Sequence, residues 1–301
     1  MTGSLVDPHP RRLGALGDVG PLALGQWRYT TTDLGAARAL LERALDAGLN
    51  LVDTADVYGL DWGGAGFGAC EELLGRVLAA TPGLRSRMVL ATKGGIVPPV
   101  PYDSSPTALR AACEASLRRL HTDVIDLYQI HRPDLLAHPA DVAATLGALR
   151  EEGKIREVGV SNHTPAQVTA LQAHLPFPLL TNQPEYSAIN LHPLRDGTFD
   201  ACLRDGVTPL VWSPLAGGRL ATGEGVRPEL VALLDDLAAR ESVDRATIAL
   251  AFALAHPSRP VAIIGTQRPE RIAEAGRARD VTLDRADVYA IIQASEGVPL
   301  P

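Results

Sequence analysis

Short, almost wholly apolar runs alternate along the chain with longer stretches in which apolar residues recur every three or four positions. The first pattern is that of strands buried on both faces, and the second that of amphipathic helices. After a first strand near 21–24, the runs Leu49–Asp53, Met88–Lys93, Val124–His131, Ile155–Val160, Leu179–Asn182, Val207–Trp212 and Val261–Ile264 predict seven more. Among the helical stretches, 36–47 gathers Ala37, Leu40, Leu41, Ala44 and Leu45 on one stripe. Those beginning at Pro106, Pro139, Pro165 and Pro228 open on a favoured first helical residue, and Ser105 and Thr164 are expected N-caps for two of them. A last helix is predicted over 285–294. The glycines and prolines of 59–69 and 94–105 predict long loops instead. Eight strands with helices between them point to an α/β chain, a (β/α)8 TIM barrel with an additional C-terminal helix, rather than an open sheet. No Pro/Gly/Ser linker divides the 301 residues, so a single domain over 1–301 is expected.

Composition narrows the classes of function. A net charge of −7 argues against nucleic acid or an anionic membrane as the main partner. The N-terminal MTGSLVDPHPRR lacks the apolar core of a signal peptide, and no run of about 18 apolar residues predicts a membrane span. Cys70, Cys113 and Cys202 are far apart and odd in number, which predicts no disulfide framework and no CxxC metal pair. A cytoplasmic protein without a metal is the expectation; monomer and homo-oligomer both stay open.

Four residues carry the chemistry. Asp53, Lys93 and His131 each end one of three successive strand runs, and Tyr58 follows Asp53 by five residues. In a parallel barrel the strand C-termini converge on the face that holds the active site. A carboxylate, a phenol, an amine and an imidazole gathered there suit carbonyl reduction, in which hydride addition builds negative charge on oxygen and a proton donor must stand beside it. A phenol of pKa about 10 is a weak acid at neutral pH; a neighbouring ammonium, Lys93, favours the phenolate. Asp53 would pair with Lys93, and His131 would donate to the carbonyl oxygen. Taken singly each has a plainer role: Asp53 as a loop anchor, Tyr58 as packing, Lys93 as a surface charge, His131 as a rim histidine.

These residues lie in motifs that resemble the aldo-keto reductase superfamily: Leu49-Asn50-Leu51-Val52-Asp53-Thr54-Ala55-Asp56-Val57-Tyr58-Gly59, Ala91-Thr92-Lys93-Gly94, Asp126-Leu127-Tyr128-Gln129-Ile130-His131-Arg132-Pro133 and Gly153-Lys154-Ile155-Arg156-Glu157-Val158-Gly159-Val160-Ser161-Asn162. The likeness continues through Asn182-Gln183-Pro184-Glu185-Tyr186, Trp212-Ser213-Pro214-Leu215 and Ile264-Gly265-Thr266. The chain is most similar to a bacterial branch of short-loop oxidoreductases that also resembles potassium-channel β subunits. The resemblance implies a general acid at Tyr58, with Lys93 as its partner, Asp53 as the anchor of the ion pair and His131 orienting the carbonyl.

Hydride chemistry calls for a nicotinamide cofactor. No G-x-G-x-x-G follows a strand, so a Rossmann turn is not expected; Gly63-Gly64-Ala65-Gly66-Phe67-Gly68 has the wrong spacing. The side chains of Ser161, Asn162 and Gln183 can hydrogen-bond a carboxamide, and the resemblance implies that they fix the nicotinamide, with Trp212 stacked on its ring. Ser213, Leu215, Gly217 and Gly218 offer close backbone approach to a pyrophosphate, and Gly25-Gln26-Trp27 would border both ring and substrate. The segment Gly265-Thr266-Gln267 runs into a helix N-terminus, a ready anion site. By resemblance Thr266 and Arg271 hold a 2′-phosphate and Glu274 accepts from the adenine amino group. Three departures stand out: Trp212, Gly265 and Ala275 occupy positions where many relatives have Tyr, Lys and Asn. NADPH is the expected cofactor, with NADH as the second option and Arg268 as a replacement phosphate contact or a solvated charge.

Trp27, Trp62 and Tyr29 lie on catalytic-side loops and can wall an apolar substrate site together with Tyr58 and His131; Trp62 can equally seal a partner surface. The expected substrate is a small aldehyde or ketone, or a sugar-like carbonyl. The alternatives are a cofactor-binding regulatory or sensor subunit and, more remotely, a Schiff-base lyase acting through Lys93.

Overall fold

The computed structural model describes residues 3–61 and 63–300. Within them, eight parallel strands close into a barrel: Leu22–Gly25, Leu51–Asp53, Val89–Gly94, Ile125–Ile130, Ile155–Ser161, Thr181–Gln183, Thr208–Val211 and Val261–Ile264. Each pairs with the next in sequence, and the eighth closes on the first in the register Ala262↔Leu22, Ile263↔Ala23, Ile264↔Leu24. The (β/α)8 barrel expected from the alternation is therefore the fold, with strand limits shifted by one or a few residues. His131 and Trp212 sit just beyond their strands, and Gln183 is the last residue of its own.

The pleat of the strands decides which residues reach the site. Successive side chains alternate between faces. Leu51, Val89, Ala91 and Leu127 point into the barrel, in one cluster with Leu180, Leu210, Val261 and Ile263. Val52, Leu90, Tyr128 and Ile130 point outward into the larger core shared with the helices. Two residues beyond each inward position the period returns to the interior, which brings Asp53, Lys93, Gln129 and His131 to the mouth above an apolar floor. The opposite end is closed by a hairpin the apolar pattern does not announce, Arg11–Arg12 paired with Asp18–Val19; its Leu13 and Val19 join the inner cluster.

Among the described residues eleven α-helical segments surround the barrel. The expected caps are in place: the Ser105 side chain accepts from Ala108 N, and Thr164 forms a capping box with Gln167. Three further helices, Ala69–Ala80, Thr198–Asp205 and Arg245–Leu254, do not open on proline, although Asp244 caps the last of them by accepting from Thr247 N. The first two start after glycines in the left-handed region, Gly68 and Gly197, with no side-chain cap. The third is buried along nearly its whole length and so has no polar face to betray it. No helix among the described residues is long and apolar enough to cross a membrane.

Candidate active site

Lys93 organises the barrel mouth. Its ammonium is fully buried and donates to three oxygens: Asp53 Oδ2 at 2.7 Å, the Thr54 carbonyl at 2.8 Å and the Tyr58 hydroxyl at 3.1 Å. Asp53 is held in turn by Gln183 Nε2 at 3.0 Å and Gln129 Nε2 at 3.2 Å on its other oxygen. Tyr58 reaches Lys93 because the chain leaving the second strand keeps bonding to the third: Thr54 N donates to Ala91 O and Asp56 N to Lys93 O. Gly59 then turns the backbone at φ +101°, where a Cβ would come within 2.6 Å of Ala69 Cβ; glycine alone meets both demands at little cost. The His131 ring stands edge-on to Tyr58, centroids 5.7 Å apart.

Burial pulls the proton affinities of these groups apart. It drives His131 well below the ordinary imidazole value, helped by the charges of Lys93 and Arg132, so the ring is neutral at pH 7. Burial also pushes the Tyr58 phenol above its ordinary value, and the opposing pull of Lys93 does not overcome it. The sequence argument that an adjacent ammonium lowers this pKa names a real but smaller effect; the phenol stays protonated, as a proton donor must. For Lys93, burial favours the neutral amine, but Asp53 and Tyr58 together hold it above its ordinary value.

Around this core the expected nicotinamide-binding residues form a chain of hydrogen bonds. Trp212 Nε1 donates to Asn162 Oδ1 at 3.0 Å, Asn162 Nδ2 to Ser161 Oγ at 2.7 Å, and Ser161 Oγ to the Gln183 carbonyl at 2.9 Å. Asn162 has the left-handed φ of +56°. The Gln183 amide points down to Asp53 and Gln129, so it braces the ion pair. Gln129 is not among the residues expected from the sequence; its one signal there is the spacing, since a glutamine two residues before His131 in a buried strand shares its inward face.

A cleft of about 520 Å³ lies beside the mouth, lined by Trp27, Ser213, Leu215, Gly217, Gly218, Gly265, Thr266, Arg271 and Glu274 among the expected cofactor residues, and by Arg28, Thr247, Arg268 and Ala275 besides. Asp53, Tyr58, Lys93 and His131 do not line it, so groove and acid/base site are neighbours. Gln26 is fully buried with both amide atoms unpartnered and stays outside the cleft. Gln267 is also outside it, its amide bonded to the Thr266 carbonyl. Gly25 lies beneath the Trp27 ring, 3.1 Å from where its Cβ would be. The same indole lies over Gly265 so closely that a Cβ there would come within 2.2 Å of it, so any larger residue at this position would require Trp27 to move. Tyr29 is a correction: its ring is fully buried and its hydroxyl donates to Ala37 O at 2.7 Å, so it belongs to the core and not to a substrate wall. Trp62 lies outside the described residues. No group of three His, Cys, Asp or Glu among the described residues is arranged to hold a metal ion.

The chain is similar to known proteins. The profile of the aldo/keto reductase family matches residues 21–296. A protein named 6-dehydroglucose reductase from Novosphingobium aromaticivorans is 49% identical over 305 aligned residues, covering all of both chains. One of the same name from Agrobacterium fabrum is 35% identical, covering 93% of this chain and 95% of its own. The solved structure of the thermostable aldo-keto reductase Tm1743, with the inhibitor epalrestat, superposes with a TM-score of 0.81 at 25% identity, covering 95% of this chain and 99% of that one.

Proposed function

The chain belongs to the aldo/keto reductase family of oxidoreductases, and we propose that it reduces the aldehyde or ketone group of a small molecule to an alcohol, with NADPH as the hydride source. The observation that carries this reading is the saturated Lys93 ammonium, bridging the buried Asp53 carboxylate and the Tyr58 hydroxyl beside a neutral His131.

A nicotinamide dinucleotide fits the residues present. The cleft runs from Trp27 and Ser213, the residue after Trp212, to the N-terminus of the helix Pro269–Gly276, where Arg268 and Arg271 stand exposed without a carboxylate partner among the described residues. Asn162, Ser161 and Trp212 would hold the ring, and Thr266 and Arg271 the 2′-phosphate; a guanidinium fork suits phosphate. When bound, the reduced nicotinamide supplies the hydride. The chain's own part is the proton and the charge. His131 donates a hydrogen bond to the substrate oxygen and fixes its direction. Tyr58 gives that oxygen its proton as negative charge develops there. The phenolate left behind is stabilised by the Lys93 ammonium, and Asp53, braced by Gln129 and Gln183, keeps the ammonium charged. The name carried by two relatives makes a sugar-derived carbonyl the first substrate to try.

Tyr58→Phe tests the assignment. It removes the proton and little else, so turnover is expected to fall at least ~10²-fold while NADPH affinity, read from tryptophan fluorescence, is kept. Unchanged turnover would remove Tyr58 from the mechanism.

A further inference from the structure

Arg132 follows His131 directly, and the chemistry above gives it no task. The residue is partly buried, and its guanidinium has neither an ion pair nor a hydrogen bond among the described residues; its contact is the face of the Trp212 ring, 5.5 Å from Cζ to the centroid. Other half-buried arginines are paired: Arg85 with Asp126 at 2.8 Å and Arg119 with Glu71 at 2.7 Å. A guanidinium carries five N–H donors in a fixed fork and no acceptor, and here no protein group among the described residues takes them, which leaves the whole fork available to a ligand.

The position narrows what would satisfy it. The fourth and seventh strands are three apart in a ring of eight, so a side chain reaching from His131 to Trp212 spans the mouth by which a carbonyl would meet Tyr58. The Arg132 charge is felt at both Tyr58 and His131. Acids on the protein are already engaged: Asp134 accepts from Ser104 N at 2.7 Å and Leu136 N at 2.9 Å, and Asp53 is held by Lys93, Gln129 and Gln183. Arg132 does not line the cofactor cleft either.

We propose that Arg132 is the specificity-determining residue of the carbonyl site, its fork taking a pair of oxygens, vicinal hydroxyls or a carboxylate, next to the carbonyl being reduced. The proposal rests on the carbonyl-reductase reading and deepens it, from any small carbonyl compound to an oxygen-rich one.

Two measurements test it. In the first, kcat/KM is compared for butanal, glyceraldehyde and glyoxylate in the wild type and in Arg132→Met, a nearly isosteric change that removes every donor. The ratio for the oxygen-bearing substrates over butanal is expected to fall ~10–100-fold, as loss of a charge-assisted hydrogen-bonded pair implies. The substrate whose ratio falls further identifies the oxygen pair, and ratios equal to wild type overturn the proposal. Should Arg132→Met not fold, Arg132→Lys, which keeps the charge and loses the fork, serves in its place. The second measurement needs no turnover: glycerate, which carries both kinds of oxygen and no reducible carbonyl, is titrated against tryptophan fluorescence. Binding at least ~10-fold weaker in the variant supports the site; equal binding overturns it. A wild type that reduces none of the carbonyls but binds glycerate through Arg132 would sink the reductase reading, and with it the specificity role, while keeping Arg132 as an oxygen-binding residue.

Discussion

At the barrel mouth Lys93 is fully buried and spends its donors on Asp53, Thr54 and Tyr58, whereas in the cleft beside it Arg268 and Arg271 stand in solvent with no ion pair among the described residues. Both regions carry cations suited to a negatively charged species, but they hold them differently. In the mouth the charge is compensated within the protein and its geometry is set before a ligand arrives, as stabilisation of a developing oxyanion requires. In the groove the charge has no ion-pair partner among the described residues and faces solvent, as the proposed phosphate site would require. Substitutions in the first region should therefore act on folding and turnover together, and substitutions in the second on affinity alone.

The largest effect should come from Lys93→Met. Removing one partner of a buried ion pair leaves an uncompensated charge on Asp53, at a cost of ~3–5 kcal/mol, alongside near-complete loss of carbonyl reduction. Thermal unfolding and steady-state kinetics check both. An unchanged Tm would mean that the pair serves chemistry without supporting the fold, and the contrast with the groove would fail.

Asp56 sharpens the comparison from inside the buried region. It is 1% exposed, its Oδ1 has no partner, and burial, reinforced by Glu71, pushes its carboxyl up to about 8 from an ordinary 3.8. A folded-state pKa above the unfolded value gives stability that is fully present below pH ~4 and is lost as pH rises towards ~8, because the unfolded chain ionises freely while the folded one holds its proton. Asp56→Asn has no proton to lose. Its stability relative to wild type should thus grow between pH 5 and pH 8, by up to ~3 kcal/mol, measured by chemical denaturation of both proteins at the two pH values. A constant difference would mean that the carboxylate finds compensation when ionised.

The same contrast governs how far the site was legible in the sequence. Asp53, Lys93 and His131 could be read because a titratable residue ending a largely apolar strand has few reasons to be there, and the two-residue pleat carries all three to one side. The barrel followed from the alternation itself. Gln129 hid within a strand, because its inward direction is visible only once Leu127 below it and His131 above it are known to share a face. The packing of Trp27 on Gly265 joins the first strand to the eighth, and no local pattern reports a contact across the closure of a barrel. The helix Arg245–Leu254 has no such signature, because burial along nearly its whole length removes the amphipathic period that reveals the others. Tyr29 misled for the opposite reason: its place on a catalytic-side loop says nothing of a ring turned into the core.

In the groove, Arg271→Ala should weaken NADPH binding ~10–100-fold, the loss of one charge-assisted contact to phosphate, with NADH affected much less. Stability should stay within about 0.5 kcal/mol of wild type, as for most exposed substitutions. Fluorescence titration of the two cofactors decides it: equal loss for both would detach Arg271 from the 2′-phosphate.

The smallest effect, and the finest test, concerns Arg268. Trp27 occupies the space a side chain at position 265 would need, and Arg268, three residues on, is an exposed cation lining the cleft, its backbone N–H bonded to Thr266 Oγ1 at 3.2 Å. If it stands in for the missing lysine, Arg268→Ala should weaken NADPH by ~2–5-fold, within the ~1 kcal/mol typical of exposed charges. Added salt should shrink that loss, since exposed charges are screened over ~10 Å at 0.1 M ionic strength. Tyr58→Phe titrated under the same conditions gives the control, because Tyr58 lies outside the groove. A loss for Arg268→Ala that salt does not diminish would mean that the side chain is desolvated when the cofactor binds, and the groove would then share the buried character of the mouth.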